Sequence, residues 1–492
     1  MDVDVVIAQG RVTGTRAGGV SVFRGVSYAA APRGPLRFAA PAPPPRGDVD
    51  ARAWGATVAT PPQRSPEIDA LLPDPVRAGD QPLNVNVWTP DPAARLPVLV
   101  WVHGGGFVTG AGSITAYDGA ALARGGVVVV TFNYRLAVEG FVALGGAPAN
   151  RGLRDQLAAL AWVQDNIGAF GGDPDRVTLA GESAGAMAVV TLLSAPGAAG
   201  LFHRAVAQSG AGHHVHTPDE AAVVAELLGR ELGVPPTAEA VGAVAEADVH
   251  GALNRVLGTV AAGREPGTAP LRRLGVQPVV DGEVLPARPV DALRAGAGAD
   301  VDLLIGTNAD EYGLFVTATG LDARLDEAAL TGLVRRLGPD VAGLLPAYRE
   351  RHPGATPADL YRRLQADWFF RVPQLRALAA RHDTAGAGRT YAYEFAWSPA
   401  TFDGRLGACH TLEVPLVFDS VDDPWGRALR GEVPRPVVEV VHGAWRRFVV
   451  DGDPGWPEHG PEQRVGVLTD RVDVVDDPYR WTADLWAGLA LS

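Results

Sequence analysis

The chain has 492 residues, 47% of them apolar and 20% charged, which is enough apolar material to fill a large core and excludes global disorder. Its 56 acidic and 43 basic residues leave a net charge of −13, the wrong sign for a nucleic-acid or anionic-membrane surface. A single cysteine, Cys409, rules out an intramolecular disulfide or a cysteine-built zinc site, and the absence of lysine rules out pyridoxal phosphate, P-loop and Ser-x-x-Lys chemistry.

The N-terminus, Met1-Asp-Val-Asp-Val-Val-Ile, lacks the basic start and apolar core of a secretory signal, and no apolar run approaches the ~20 residues of a membrane span. A soluble, cytoplasmic protein is expected. Short apolar runs bounded by Gly, Pro or Asp predict buried strands, beginning with 20–23 and 83–88. The next strand, 98–102, runs into His103-Gly104-Gly105-Gly106-Phe107. Glycines allow close backbone approach to a substrate carbonyl, so the N–H groups of Gly105 and Gly106 are candidate oxyanion donors. His103 is read as a hydrogen-bonder that positions this loop.

Strand 127–132 and a helical pattern over 153–170 follow, with Leu153, Leu157, Leu160 and Val163 on one face. Strand 177–180 then leads into Gly181-Glu182-Ser183-Ala184-Gly185, the only G-x-S-x-G match, and a helical run over 186–193. A strand, a sharp turn and a helix are what a nucleophile elbow requires. The serine there meets the positive end of a helix dipole. Ser183 is therefore the candidate nucleophile, and the N–H of Ala184 joins Gly105 and Gly106 as a third oxyanion donor. After strand 205–208, His213-His214-Val215-His216 looks like a metal cluster, but no carboxylate or cysteine partner is evident and no metal is expected.

Residues 217–300 and 322–385 read as helical insertions that cap one end of the sheet within a single domain spanning 1–492. Strand 303–306 precedes Thr307-Asn308-Ala309-Asp310-Glu311, and strand 391–395 precedes Gly407-Ala408-Cys409-His410 and the apolar run 412–418. The alternation of strand and helix predicts an α/β protein with a mostly parallel sheet covered on both faces. A serine hydroxyl needs a base of near-neutral pKa, and without lysine that is one of 11 histidines. The order serine, acid, histidine points to Glu311 as acid and His410 as base. Asp310 is a rival that spacing alone does not separate from Glu311, and His442 is a rival in a helical pattern, 437–448. The acid limb of the pH–rate profile is expected near the imidazole pKa, about 6 to 7. Cys409 is read as a small packing residue.

Together these residues resemble the type-B carboxylesterase family of α/β-hydrolases over nearly the whole chain. Phe23-Arg24-Gly25-Val26-Ser27-Tyr28-Ala29 and Leu36-Arg37-Phe38 look like its N-terminal strands. Asn133-Tyr134-Arg135-Leu136, Phe170-Gly171-Gly172-Asp173-Pro174, Gln208-Ser209-Gly210 and Gly452-Asp453-Pro454 are similar to further family motifs. The resemblance implies an α/β-hydrolase fold, a small-molecule ester substrate and no cofactor. It also implies that the acid is the Glu of the Asp-Glu pair, Glu311, and that His410 precedes a Glu-x-Pro-x-Val-Phe run at 413–418. Glu182 and Ser209 match positions that hydrogen-bond around the catalytic histidine in some members. Phe107, Trp368, Phe369 and Phe370 are the implied substrate-pocket residues. Two departures stand out: Gln81-Pro82 occupies a region where many members carry a disulfide cysteine, and Tyr312 intervenes before the Gly that often follows the acid directly. The expected activity is ester hydrolysis through an acyl-enzyme. An amidase, lactonase or transacylase would use the same set, and a non-catalytic binding protein would share the fold without needing it.

Overall fold

Thirteen strands join one mixed sheet in the computed structural model, which describes residues 1–489 apart from 62–64, 266–267, 269–270, 272–273, 383, 385 and 387. An antiparallel edge is made by β1 (Asp2–Ile7), β2 (Gly10–Ala17), β3 (Val20–Ser27) and β5 (Asn84–Thr89), with the short β4 (Val49–Asp50) beside β2. A parallel centre follows in the order β7 (Val128–Phe132), β6 (Leu96–Val102), β8 (Gly172–Glu182), β9 (Arg204–Gln208), β10 (Asp302–Asn308), β11 (Thr390–Phe395) and β12 (Arg464–Leu468). The antiparallel β13 (Val472–Asp476) closes the far edge.

The parallel strands are apolar on both faces because helices cover both. In β6, Val98, Val100 and Val102 enter one core and Leu99 and Trp101 the other, as the two-residue period of a strand requires. Helices α1 (Arg151–Asn166) and α2 (Ala184–Leu193) bury Leu153, Leu160, Val189 and Leu192 in the first core. Further helices are α3 (Pro218–Leu232), α4 (Glu246–Ala261), α5 (Glu327–Arg336), α6 (Pro357–Ala366), α7 (Val372–His382) and α8 (Arg435–Asp451). The last buries Val441, Ala444 and Trp445 in the second core.

Local chemistry accounts for several boundaries. Helices α3 and α6 each start from a Thr-Pro pair in which the Thr hydroxyl and an acidic side chain three residues on satisfy each other's backbone N–H groups. Strand 177–180 is the middle of a longer strand, helix 153–170 ends at Asn166 in a 3-10 turn, and helix 186–193 starts two residues earlier. Leu36-Arg37-Phe38 is not a strand. Pro35 starts a 3-10 turn at Gly34–Leu36, and the Arg37 guanidinium lies over the Phe38 ring at 4.9 Å and pairs with Glu139 at 2.9 Å. The stretch 217–300 holds α3 and α4 but includes 266–267, 269–270 and 272–273, which lie outside the described residues, as do 383 and 385 of the stretch 322–385. No helix among the described residues is long and apolar enough to cross a membrane.

Candidate active site

The C-terminal ends of β6, β8 and β10 and the segment after β11 converge on one cavity. Ser183 sits between the last residue of β8 and the first of α2, with φ 57° and ψ −125°, a conformation an L-residue adopts only when its surroundings impose it. Its N–H donates to Gln208 O at 2.8 Å and its carbonyl accepts from Met187 N at 2.9 Å. A Cβ on Gly185 would lie 2.1 Å from Val102 O, so only glycine lets β6 approach the elbow this closely. The Ser183 side chain lines the cavity, and its hydroxyl has no hydrogen bond to the described residues.

Gly105 follows β6 with φ 109°, and a Cβ there would fall 2.2 Å from Thr109 O. The loop is locked from within: Val108 N and Thr109 N donate to Gly105 O at 3.1 and 3.0 Å. The N–H groups of Gly105, Gly106 and Ala184 find no acceptor among the described residues. His103 is buried behind the loop, stacked on Tyr134 with ring centroids 4.4 Å apart, and its Nδ1 donates to Gly104 O at 2.8 Å. Burial brings its imidazole down to about 4, so it is an uncharged brace.

His410 and Glu311 are both buried, and His410 Nδ1 donates to Glu311 Oε2 at 2.6 Å. The other Glu311 oxygen accepts from Asn308 N at 2.8 Å. Asp310 turns the opposite way, where its Oδ2 accepts from Ala408 N at 3.2 Å. His442 is occupied elsewhere, donating from Nδ1 to Val417 O at 2.9 Å. Glu182 Oε1 lies 3.2 Å from His410 Nε2, a charge contact without hydrogen-bond alignment. Ser209 lies on the loop after β9 with φ 54°, and its Oγ has no partner among the described residues. It does not hydrogen-bond to the histidine.

A third buried carboxylate, Glu413, escaped the sequence reading as a site residue. It accepts from Asn308 Nδ2 at 2.7 Å and from Gln208 Nε2 at 3.1 Å, and Gln208 Oε1 in turn accepts from Trp445 Nε1 at 2.7 Å. The available signal was a lone charge inside the apolar run 412–418. Burial alone would lower the His410 pKa, but Glu182, Glu311 and Glu413 together raise it to about 9. Burial pushes Glu182 up to about 8, with Glu413 and Glu311 adding to the effect and His410 opposing it. The carboxylates thus favour the imidazolium, an influence that the expected range of 6 to 7 did not include because their number around the histidine was not visible in the sequence.

The cavity has a volume of about 1250 Å³, above the usual ~300–1,000 Å³ of small-molecule sites. Phe369 and Phe370 line it, as do Met187, Tyr312 and Phe315, which the sequence reading had not placed in the pocket. Phe107 and Trp368 do not. Phe107 turns into the core against Phe141, centroids 4.8 Å apart, and Trp368 joins the same core. Cys409 is buried in the second core, its thiol pushed up by burial and by Glu311. Among the described residues the only three side chains close enough to share a metal ion are Glu139, Glu246 and His250, not the histidines of 213–216. Glu139 is already paired with Arg37 and His250, each at 2.9 Å.

A family model described as the carboxylesterase family matches residues 2–464. The para-nitrobenzyl esterase of Bacillus subtilis (strain 168) is 35% identical, the alignment covering 96% of each chain. Phenmedipham hydrolase of Pseudarthrobacter oxydans is 34% identical over 90% of this chain and 89% of its own. Among solved structures, a PNB esterase superposes with a TM-score of 0.84 at 32% identity, covering 98% of this chain and 99% of that one. The Geobacillus stearothermophilus carboxylesterase EST55 at pH 6.2 gives a TM-score of 0.82 at 34% identity with the same coverage.

Proposed function

Because the chain belongs to the carboxylesterase family and has the α/β-hydrolase fold of its structural neighbours, we propose that it is a serine ester hydrolase acting through an acyl-enzyme. The observation that carries this reading is the 2.6 Å Glu311–His410 bond beside a cavity lined by His410, Ser183, Gly105 and Gly106, where the N–H groups of both glycines and of Ala184, next to the serine, have no acceptor among the described residues. Ser183 Oγ attacks the carbonyl of a small-molecule ester as His410 Nε2 takes its proton, and Glu311 orients the imidazole. The N–H groups of Gly105, Gly106 and Ala184 receive the oxyanion, each typically worth about 3 kcal/mol. His410 returns the proton to the leaving alcohol, and water then releases the acid by the reverse sequence. The Ser183–His410 bond that this requires is absent among the described residues, and such bonds are often long or poorly aligned before substrate binds and tighten in the complex. The same reading treats 1–492 as one catalytic domain, with the stretches 217–300 and 322–385 as insertions around the cavity mouth.

Stoichiometric organophosphate labelling of Ser183, read by mass shift, is expected together with turnover of para-nitrophenyl esters. A folded protein that is neither labelled nor active would sink the proposal.

The carboxylates also set the pH dependence. Only the neutral imidazole accepts a proton, and a raised pKa keeps it charged to higher pH. The acid limb of kcat/KM should therefore lie above 6.5, towards about 9, and Glu182→Gln should move it down. A wild-type limb at or below 6.5 would show that the three carboxylates do not act on His410 in this way.

A further inference from the structure

Behind the acid loop lies a second buried charge cluster that the ester chemistry does not use. It centres on Asp367–Arg371, a π-helical turn between α6 and α7 whose five residues are all buried. Such turns are rare irregularities that recur at functional sites. This one brings Phe369 and Phe370 to the cavity wall and sets the Phe370 ring 4.7 Å from that of His410.

Arg371, with its side chain 8% exposed, reaches several segments of the chain at once. Its Nε lies 3.3 Å from Asp367 Oδ1, and Nη1 donates to Glu394 Oε2 on β11 at 2.7 Å. Its Nη2 donates to two successive carbonyls, Asn308 O at 3.3 Å and Ala309 O at 3.4 Å. The guanidinium stacks 4.4 Å from the Tyr479 ring, whose hydroxyl donates to Glu394 Oε2 at 2.8 Å. On the far side, Tyr348 OH donates to Asp367 Oδ2 at 2.5 Å.

A buried ion cluster is weak evidence of a stability role, because well-packed apolar side chains often serve as well. A planar guanidinium fork, unlike an apolar side chain, can hold a carboxylate on one nitrogen and backbone carbonyls on another in a fixed geometry. Here those carbonyls flank the peptide that opens the acid loop, and Asn308 N–H donates directly to Glu311 Oε1.

We propose that Arg371 is a positioning residue that fixes the Asn308–Ala309 segment and, through it, the Glu311 carboxylate, while its own turn seats Phe370 against His410. The inference rests on the Ser183, Glu311 and His410 reading.

Arg371→Met retains bulk but removes the fork. Its kcat on a para-nitrophenyl ester should fall roughly ten- to a hundredfold with KM little changed, the scale expected when a catalytic group is displaced by about 1 Å. The acid limb should also move down, because a misaligned Glu311 supports the imidazolium less. Arg371→Lys keeps the charge but cannot span Glu394 and both carbonyls, so an intermediate kcat is expected. It decides the matter alone if the Met variant does not fold. Tyr348→Phe breaks the far side of the cluster and should lower Tm without the loss in kcat. Wild-type kcat and acid limb in the folded Arg371 variants, or an equal loss of kcat in Tyr348→Phe, would overturn the proposal. Organophosphate labelling keeps the two readings apart: an unlabelled wild type defeats the esterase reading, whereas labelled variants with unchanged kcat defeat only this one.

Discussion

Ser183→Ala is expected to lower ester turnover by about a millionfold, since removing the nucleophile disables the whole set and leaves only oxyanion stabilisation and binding. The fold should survive. Alanine fits the space, and the elbow is held by backbone bonds from Ser183 N to Gln208 O and from Met187 N to Ser183 O, which the substitution leaves in place. The strained φ of 57° is tolerated by serine and should be tolerated by alanine at similar cost. The measurement is kcat for a para-nitrophenyl ester on protein whose circular dichroism matches wild type. Retention of more than a few per cent of the rate would remove Ser183 from the mechanism.

Glu311→Gln should cost about ten-thousandfold in kcat, by analogy with the corresponding triad carboxylate in serine proteases. The amide is neutral and can favour the wrong imidazole tautomer. Position 311 receives the imidazole N–H at 2.6 Å, while position 310 turns away to Ala408 N. Asp310→Asn should therefore cost far less, acting only through the loop at 407–408. The pair gives a clear contrast in kcat at matched stability. A four-order loss in Asp310→Asn with Glu311→Gln near wild type would reverse the assignment.

The parts of the fold that were legible in the sequence are those whose physics is local. The central strands are covered on both faces, so β6 and β7 read as unbroken apolar runs. Edge strand β1, with its residues largely outside the core, offers no such run. The elbow and the glycine loop were legible because a strand, a turn and a helix lie within a few residues of each other. The choice between Asp310 and Glu311 was not legible from spacing, since neighbours on a loop diverge in ways that spacing does not encode, and it rested on the family resemblance alone. Glu413 and Arg371 were harder still. The partners of Arg371 come from positions 308, 367, 394 and 479, and only the folded chain brings them together.

The chain excursions that carry the cavity wall have a thermodynamic consequence. One leaves after β9 and returns at β10, and the other leaves after β10 and returns at β11. For flexible chain, each doubling of such an excursion adds only about 0.6 kcal/mol of closure entropy. Despite the long chain between them, β8, β9, β10 and β11 are paired in continuous parallel register. Closure entropy therefore sets only a weak limit on the length of the wall. Arg371 marks where that freedom stops, because it belongs to an excursion yet grips the frame.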